Sequence, residues 1–144
     1  EKEIAISTDV IVGFPGETKA QFQNTAKILK EVKYDMAYIS RYSRRAGTAA
    51  ALLEDDIANQ EKKRREAILN DIVKTTALAH NKKHIGKSVD VLVNSVKKNR
   101  AAGKSRHYKT VRFLTEENII RPGDIVKVKI LKAIPFGLEG KMIR

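Results

Sequence analysis

Residues 4–12 (IAISTDVIV) set the tightest limit on what this chain can fold into. The stretch is rich in β-branched side chains and closes on an unbroken apolar triplet, as a strand buried on both faces does in a parallel sheet. Gly13 and the Pro15-Gly16 pair stop it. Thr18, with Gln21 three residues later, forms a capping box and starts a helix whose apolar stripe is Phe22, Ala26, Leu29 and Val32. A second strand is expected at residues 36–40 (MAYIS). Strand, helix and strand within about forty residues make one βαβ unit, so the expected sheet is parallel.

Residues 57–83 are highly charged and contain neither Gly nor Pro, which predicts one long helix. Ile68, Leu69, Ile72, Val73 and Leu78 give it a modest apolar stripe, and its opening turns (QEKKRRE, residues 60–66) read as solvated. Gly86 is a good stop, and the pattern then changes. Short strands are expected at residues 88–93, 106–113, 125–131 and 136–143. Gly103, Pro122-Gly123-Asp124 and Pro135 supply turn chemistry between them. That pattern predicts a small closed barrel of the OB type. The expected fold class is therefore α/β followed by all-β, with residues 1–83 as the first part and 84–144 as the second. The chain opens at Glu1 in what reads as mid-strand, as a piece of a longer polypeptide would.

Charge separates the two parts. Residues 1–83 carry 15 Lys and Arg against 12 Asp and Glu, whereas residues 84–144 carry 14 against 5. A segment so basic is suited to a polyanion, because phosphates gain Coulomb attraction and release counterions. An acidic membrane surface is the competing partner. The basic part has no amphipathic helix or lipidation motif to serve it, and no apolar run approaches the roughly 20 residues that span a bilayer. Cys is absent, which excludes disulfides and thiolate-bound metal within these residues and suits a cytoplasmic protein. His80 and His84 are four apart, but lysines crowd them and no carboxylate completes a ligand set. They read as solvated side chains near a helix end, and neither a metal ligand nor a catalytic residue is expected here.

The sharpest motif is residues 8–18, TDVIVGFPGET. It places a Gly-rich turn and a capped helix N-terminus at the carboxyl end of a buried strand, where α/β sheets bind ligands. On spacing alone, Gly-Phe-Pro-Gly is equally a tight strand-to-helix turn. This segment resembles the end of the radical-SAM domain in MiaB-type tRNA methylthiotransferases, which typically reads TD-x-IVGFPGET. Residues 42–50 (YSRRAGTAA) resemble the family's YSPRPGTPA stretch, with Arg44, Ala46 and Ala49 where prolines are usual. Residues 85–93 (IGKSVDVLV), 103–113 (GKSRHYKTVRF) and 133–140 (AIPFGLEG) resemble its TRAM domain.

The resemblance implies a partial TIM-like radical-SAM barrel followed by an OB-like TRAM barrel. It implies S-adenosylmethionine and two 4Fe-4S clusters as cofactors, tRNA as partner, and the remainder of the same polypeptide as the source of the cluster cysteines. Without that remainder the piece is expected to be inactive. Gly13, Phe14 and Glu17, with Arg45, would form one wall of the S-adenosylmethionine pocket. Arg41 and Arg44 serve equally well as ion-pair partners of Glu54, Asp55 and Asp56. In the basic part, the expected RNA-binding residues are Lys97, Lys98, Arg100, Lys104, Arg106, Tyr108, Lys109 and Arg112. Strand alternation would put Arg106, Tyr108, Thr110 and Arg112 on one face, with Tyr108 suited to stacking on an unpaired base. A solvated, solubilising surface is the plainer reading of those cations. Phe113 and Phe136 are expected in the core, and Lys127, Lys129 and Lys132 on the outer face of a strand. The expected activity is 2-methylthiolation of isopentenyladenosine beside a tRNA anticodon. The alternatives are a methylthiotransferase for threonylcarbamoyl-adenosine or for a ribosomal-protein aspartate, and a non-catalytic RNA-binding module.

Overall fold

The computed structural model describes residues 4–116 and 119–143; the expected mid-strand opening at Glu1 lies outside the described residues. The chain divides into two compact units, one of them Ile6–Thr76 and the other running from Ala77 through the C-terminal strands.

In the first unit, β1 (Ser7–Val12) and β2 (Met36–Arg41) pair in parallel, from Ser7↔Met36 to Val12↔Arg41. Helix α1 (Lys19–Val32) joins them and starts as its local sequence requires. Thr18 Oγ1 accepts from the Gln21 backbone N–H at 3.2 Å, and Gln21 Oε1 accepts from the Thr18 backbone N–H at 2.8 Å. The helix ends at Lys33, which has φ 55° and donates its N–H to the Leu29 carbonyl. Val12, Phe22, Leu29 and Ala37 form the core with Leu69 and Val73 of α2 (Asn59–Lys82).

Three expectations are corrected here. β1 is not buried on both faces: Val10 and Val12 point inward while Ile11 is 55% exposed. Val32 is exposed because it is the last residue of α1, and the stripe on that helix stops at Leu29. The turns at residues 60–66 are not simply solvated, since Lys62 is 1% and Arg65 6% exposed.

The second unit is a closed five-stranded barrel in the order β3-β4-β5-β7-β6. Its strands are β3 (Ser88–Lys97), β4 (Arg100–Ser105), β5 (Thr110–Leu114), β6 (Ile125–Ile134) and β7 (Gly137–Ile143). All neighbours are antiparallel except β5 and β7. β3 and β6 are the long strands, and each bends at a register shift, between Val93 and Ser95 and between Ile130 and Lys132. Such bulges let one strand pair on both sides of a small barrel and close it. The core is aliphatic around one aromatic: Val91, Val93, Val111, Val128, Ile130 and Leu138 surround Phe113.

The barrel has one strand more than its sequence suggested. The expected strand at residues 106–113 begins only at Thr110, and β4 occupies residues that had read as loop. Phe136, expected in the core, sits between β6 and β7 and is 41% exposed. The last residues of α2 belong to this unit rather than to the first. Asn81, 2% exposed, donates through Nδ2 to the carbonyls of Ile134 at 2.9 Å and Pro135 at 3.1 Å. Among the described residues, no helix is long and apolar enough to cross a membrane.

Candidate functional site

Parallel pairing brings the first two motifs together. The turn after β1 and the turn after β2 leave the same end of the sheet, and the Tyr42 N–H donates to the Val12 carbonyl at 2.8 Å. The rings of Phe14 and Tyr42 meet edge to face with centroids 5.2 Å apart, and Tyr42 Oη donates to the Ala50 carbonyl at 2.9 Å. Gly13 has φ 67°, and a Cβ there would collide with the buried stem of Lys62. A side chain is therefore excluded twice, by backbone conformation and by space.

Glu17 is engaged inward. Its Oε2 accepts from the Gly13 N–H at 2.6 Å and from Arg65 Nη1 at 2.6 Å, and Arg65 Nη1 also reaches the Glu17 carbonyl at 2.9 Å. Arg65 lies against the Phe22 ring and donates through Nε to Glu61 at 2.9 Å. Lys62 sits beside this brace, with Nζ 2.5 and 2.7 Å from the two Asp55 oxygens and 5.2 Å from the Tyr42 ring centroid. The Gly16 N–H donates to Asp56 Oδ1 at 2.9 Å.

Of the expected pocket wall, Gly13 and Glu17 thus share one hydrogen-bonded turn, Phe14 projects beside it with 41% exposure, and Arg45 is exposed in the turn after β2. Arg41 pairs with Glu66 at 3.3 Å and Arg44 donates to the Leu53 carbonyl at 2.9 Å, so neither uses the acidic residues just downstream. Lys62 and Arg65 were legible in one respect. Positions 62, 65, 69 and 73 follow helical spacing, so the Leu69–Val73 stripe extends back onto both cations.

The Arg64 and Arg65 side chains hydrogen-bond to Glu61 and hold its carboxyl at about 2, below the ordinary 4.5. A carboxyl whose pKa is lowered by folding stabilises the fold above its unfolded value, and that stability is lost as pH falls toward the folded one. Glu61→Gln is therefore expected to flatten the loss of stability between about pH 4.5 and 2, as read from urea midpoints across that range. An unchanged acid limb would contradict the assignment.

On the barrel, the expected RNA-binding residues fall into two groups. Lys97, Lys98, Arg100 and Arg112 are exposed near the β3–β4 turn and on the outer face of β4 and β5. Lys104, Arg106 and Tyr108 lie toward the opposite end of the β4–β5 hairpin. Lys109 is only 8% exposed; its N–H donates to Ser105 Oγ at 3.2 Å, and its carbonyl accepts from the Ser105 N–H at 2.9 Å. It is withdrawn from the surface group. Residues 106–109 connect β4 to β5 outside either strand, so alternation does not place Arg106 and Tyr108 with Arg112 as expected. The ring of His107 in that turn lies 5.8 Å from that of His84, which follows the end of α2 instead of sharing a helical face with His80.

Tyr108 has φ 58°, where hairpin turns favour Gly or Asn, and is 72% exposed with Lys104 Nζ 4.4 Å from its ring centroid. An L-residue there costs about 1–2 kcal/mol, and an exposed cation–π contact recovers about 0.5–1. Tyr108→Gly is expected to raise the barrel's stability by about 0.5–1 kcal/mol in thermal denaturation. A lowered midpoint would show that Tyr108 is structural.

No protein-family model matches the chain. Curated relatives match almost all of it. A protein of Malacoplasma penetrans named tRNA-2-methylthio-N(6)-dimethylallyladenosine synthase is 44% identical over 142 residues, covering 96% of this chain and 28% of its own length. Proteins of the same name from Clostridium botulinum and Bacillus cereus are 41% and 39% identical, covering 97% and 98% of this chain. They are matched over 31% and 28% of their own lengths. The chain thus spans under a third of the relatives it matches.

Proposed function

From homology to a segment of those synthases, we propose that this chain is the corresponding piece of a tRNA methylthiotransferase acting on N6-dimethylallyladenosine. The single observation that carries the reading is the near-complete match to proteins of that name. The adjacency of the two turns in the first unit and the basic surface of the OB-like barrel support it. In this reading residues 1–83 end a TIM-like radical-SAM domain and residues 84–144 form a TRAM domain in a cytoplasmic protein.

The residues present fit the proposed cofactors unequally. An iron–sulfur cluster needs thiolates, and these 144 residues contain no Cys, so its ligands would come from the remainder of the polypeptide. S-adenosylmethionine supplies the radical chemistry once bound and cleaved. Toward it, Phe14 offers an exposed ring and Arg45 an exposed guanidinium suited to a carboxylate. Glu17 acts differently from its expected part. Its carboxylate holds the Gly13 N–H and Arg65, so it shapes the turn that would face the cofactor.

The barrel would hold tRNA through phosphates while the target base leaves its stack. The 144-residue chain is expected to bind unmodified tRNA with log Kd changing steeply with salt. If about four or five phosphates are engaged, log K falls against log salt with a slope of about −3 to −4. Fluorescence anisotropy across a salt series reads this directly, and a flat response contradicts RNA binding.

A further inference from the structure

Between α1 and α2 the first unit carries a groove of about 390 Å³. Lys19, Lys27 and Lys30 of α1 and Arg64 of α2 line it, and no carboxylate does. The three lysines are eight and three positions apart, which puts them on one face of α1. Helical rise spreads them over about 17 Å. Arg64 is held by Glu61, with Nε 2.6 Å from Oε2. Lys27 reaches Glu31 at 3.8 Å with both side chains exposed, a pair that contributes little. Among the described residues, Lys19 and Lys30 form no ion pair.

Two features separate this groove from an ordinary solvated face. Lys19 is the first residue of α1, whose first turn holds no acid. The helix dipole opposes a cation there and favours an anion, so Lys19 weakens the free helix and gains once an anion arrives. The floor is also apolar, formed by Phe22, which is 5% exposed, with half-buried Ala26 and Ile68. Solubilising surfaces mix both signs of charge and need no such floor. Packed helices leave creases that accept the side-chain ridges of another helix. A helix with carboxylates four and seven residues apart on one face repeats the spacing of these lysines, and apolar residues beside them would meet the floor. RNA phosphates match the charge but gain nothing from Ala26 and Ile68.

We propose that the α1–α2 groove docks an acidic amphipathic helix of a partner protein, its carboxylates on Lys19, Lys27 and Lys30 and its apolar stripe on Ala26 and Ile68. The groove belongs wholly to the first unit, and its role does not depend on RNA binding by the barrel.

The test titrates the 144-residue chain with a fluorescein-labelled helical peptide of about four turns carrying Glu and Leu at those spacings. A scrambled peptide of the same composition is the control. The ordered peptide is expected to bind about tenfold more tightly, with amide shifts in residues 19–30 and 64–68. Lys27→Glu with Lys30→Glu, both at exposed positions, should weaken it about tenfold. A peptide with Lys in place of Glu should prefer that variant to the native chain. Lys27→Gln with Lys30→Gln, which adds no repulsion within α1, should weaken binding about threefold and decides the matter if the charge reversal unfolds the chain. Lys97→Glu with Lys98→Glu on the barrel should leave peptide binding unchanged. Equal binding of the two peptides, indifference to the α1 variants, or sensitivity to the barrel change overturns the proposal. An oligouridylate that binds more tightly than the peptide and is released by Lys27→Gln with Lys30→Gln assigns the groove to nucleic acid and overturns it too. So does peptide binding that disappears when the remainder of the polypeptide is present, since the occupant is then intramolecular.

Discussion

Replacing Arg65 with alanine is expected to destabilise the first unit by about 3–4 kcal/mol, the range for breaking a buried ion pair by removing one partner. The side chains of Arg65 and Glu17 are only 8% and 12% exposed, so the carboxylate left behind would be poorly solvated and held by the Gly13 N–H alone. Contact with the Phe22 ring and the bond to Glu61 would be lost as well. Arg65→Lys should recover little, because one ammonium cannot reproduce the planar fork that spans Glu17 and Glu61. Urea denaturation gives the magnitude, and faster amide exchange in residues 13–17 would locate it. A loss below about 1 kcal/mol would place this pair with ordinary exposed salt bridges. In the proposed enzyme the same change would disorder the turn proposed above to face the cofactor.

Gly103→Ala is expected to destabilise the barrel by about 3 kcal/mol, the upper part of the range for overpacking. A Cβ on Gly103 would run into the Leu92 carbonyl oxygen and lie 2.7 Å from Val91 Cγ1. The obstruction is the backbone of β3 next to its bulge, and it cannot swing aside as the end of a flexible side chain would. The expected readout is a lowered melting temperature with loss of amide protection in β3 and β4. Ala102→Gly, one position away with its side chain outside the core, should cost no more than about 1 kcal/mol. Equal effects at the two positions would contradict close approach as the reason for Gly103.

Much of the first unit was readable because its signals are local. The capping box needs only Thr18 and Gln21, and Gly13 with Pro15-Gly16 stops a strand whatever surrounds it. The barrel's long strands β3 and β6 announced themselves through runs of valine and isoleucine. β4 did not, because Arg-Ala-Ala-Gly-Lys-Ser has no strand propensity of its own. Its conformation is imposed by β3 and β5, which pair with it on both sides. Tyr108 was read as a strand residue because nothing in its neighbours marks a left-handed position, where Gly is usual.

The candidate sites divide along the same line. Sequence alone determined the strand–helix–strand order of the first part, the basic character of the second part and the nearness of a glycine turn to a strand end, since each follows from neighbouring residues or from summed charge. Only the tertiary structure decided that Glu17 faces Arg65, 48 positions away, and that Lys109 is buried. It also decided that Ile68 of α2 shares one groove with the lysines of α1. Burial and pairing depend on what the chain brings alongside a residue, and separation along the sequence carries no record of that.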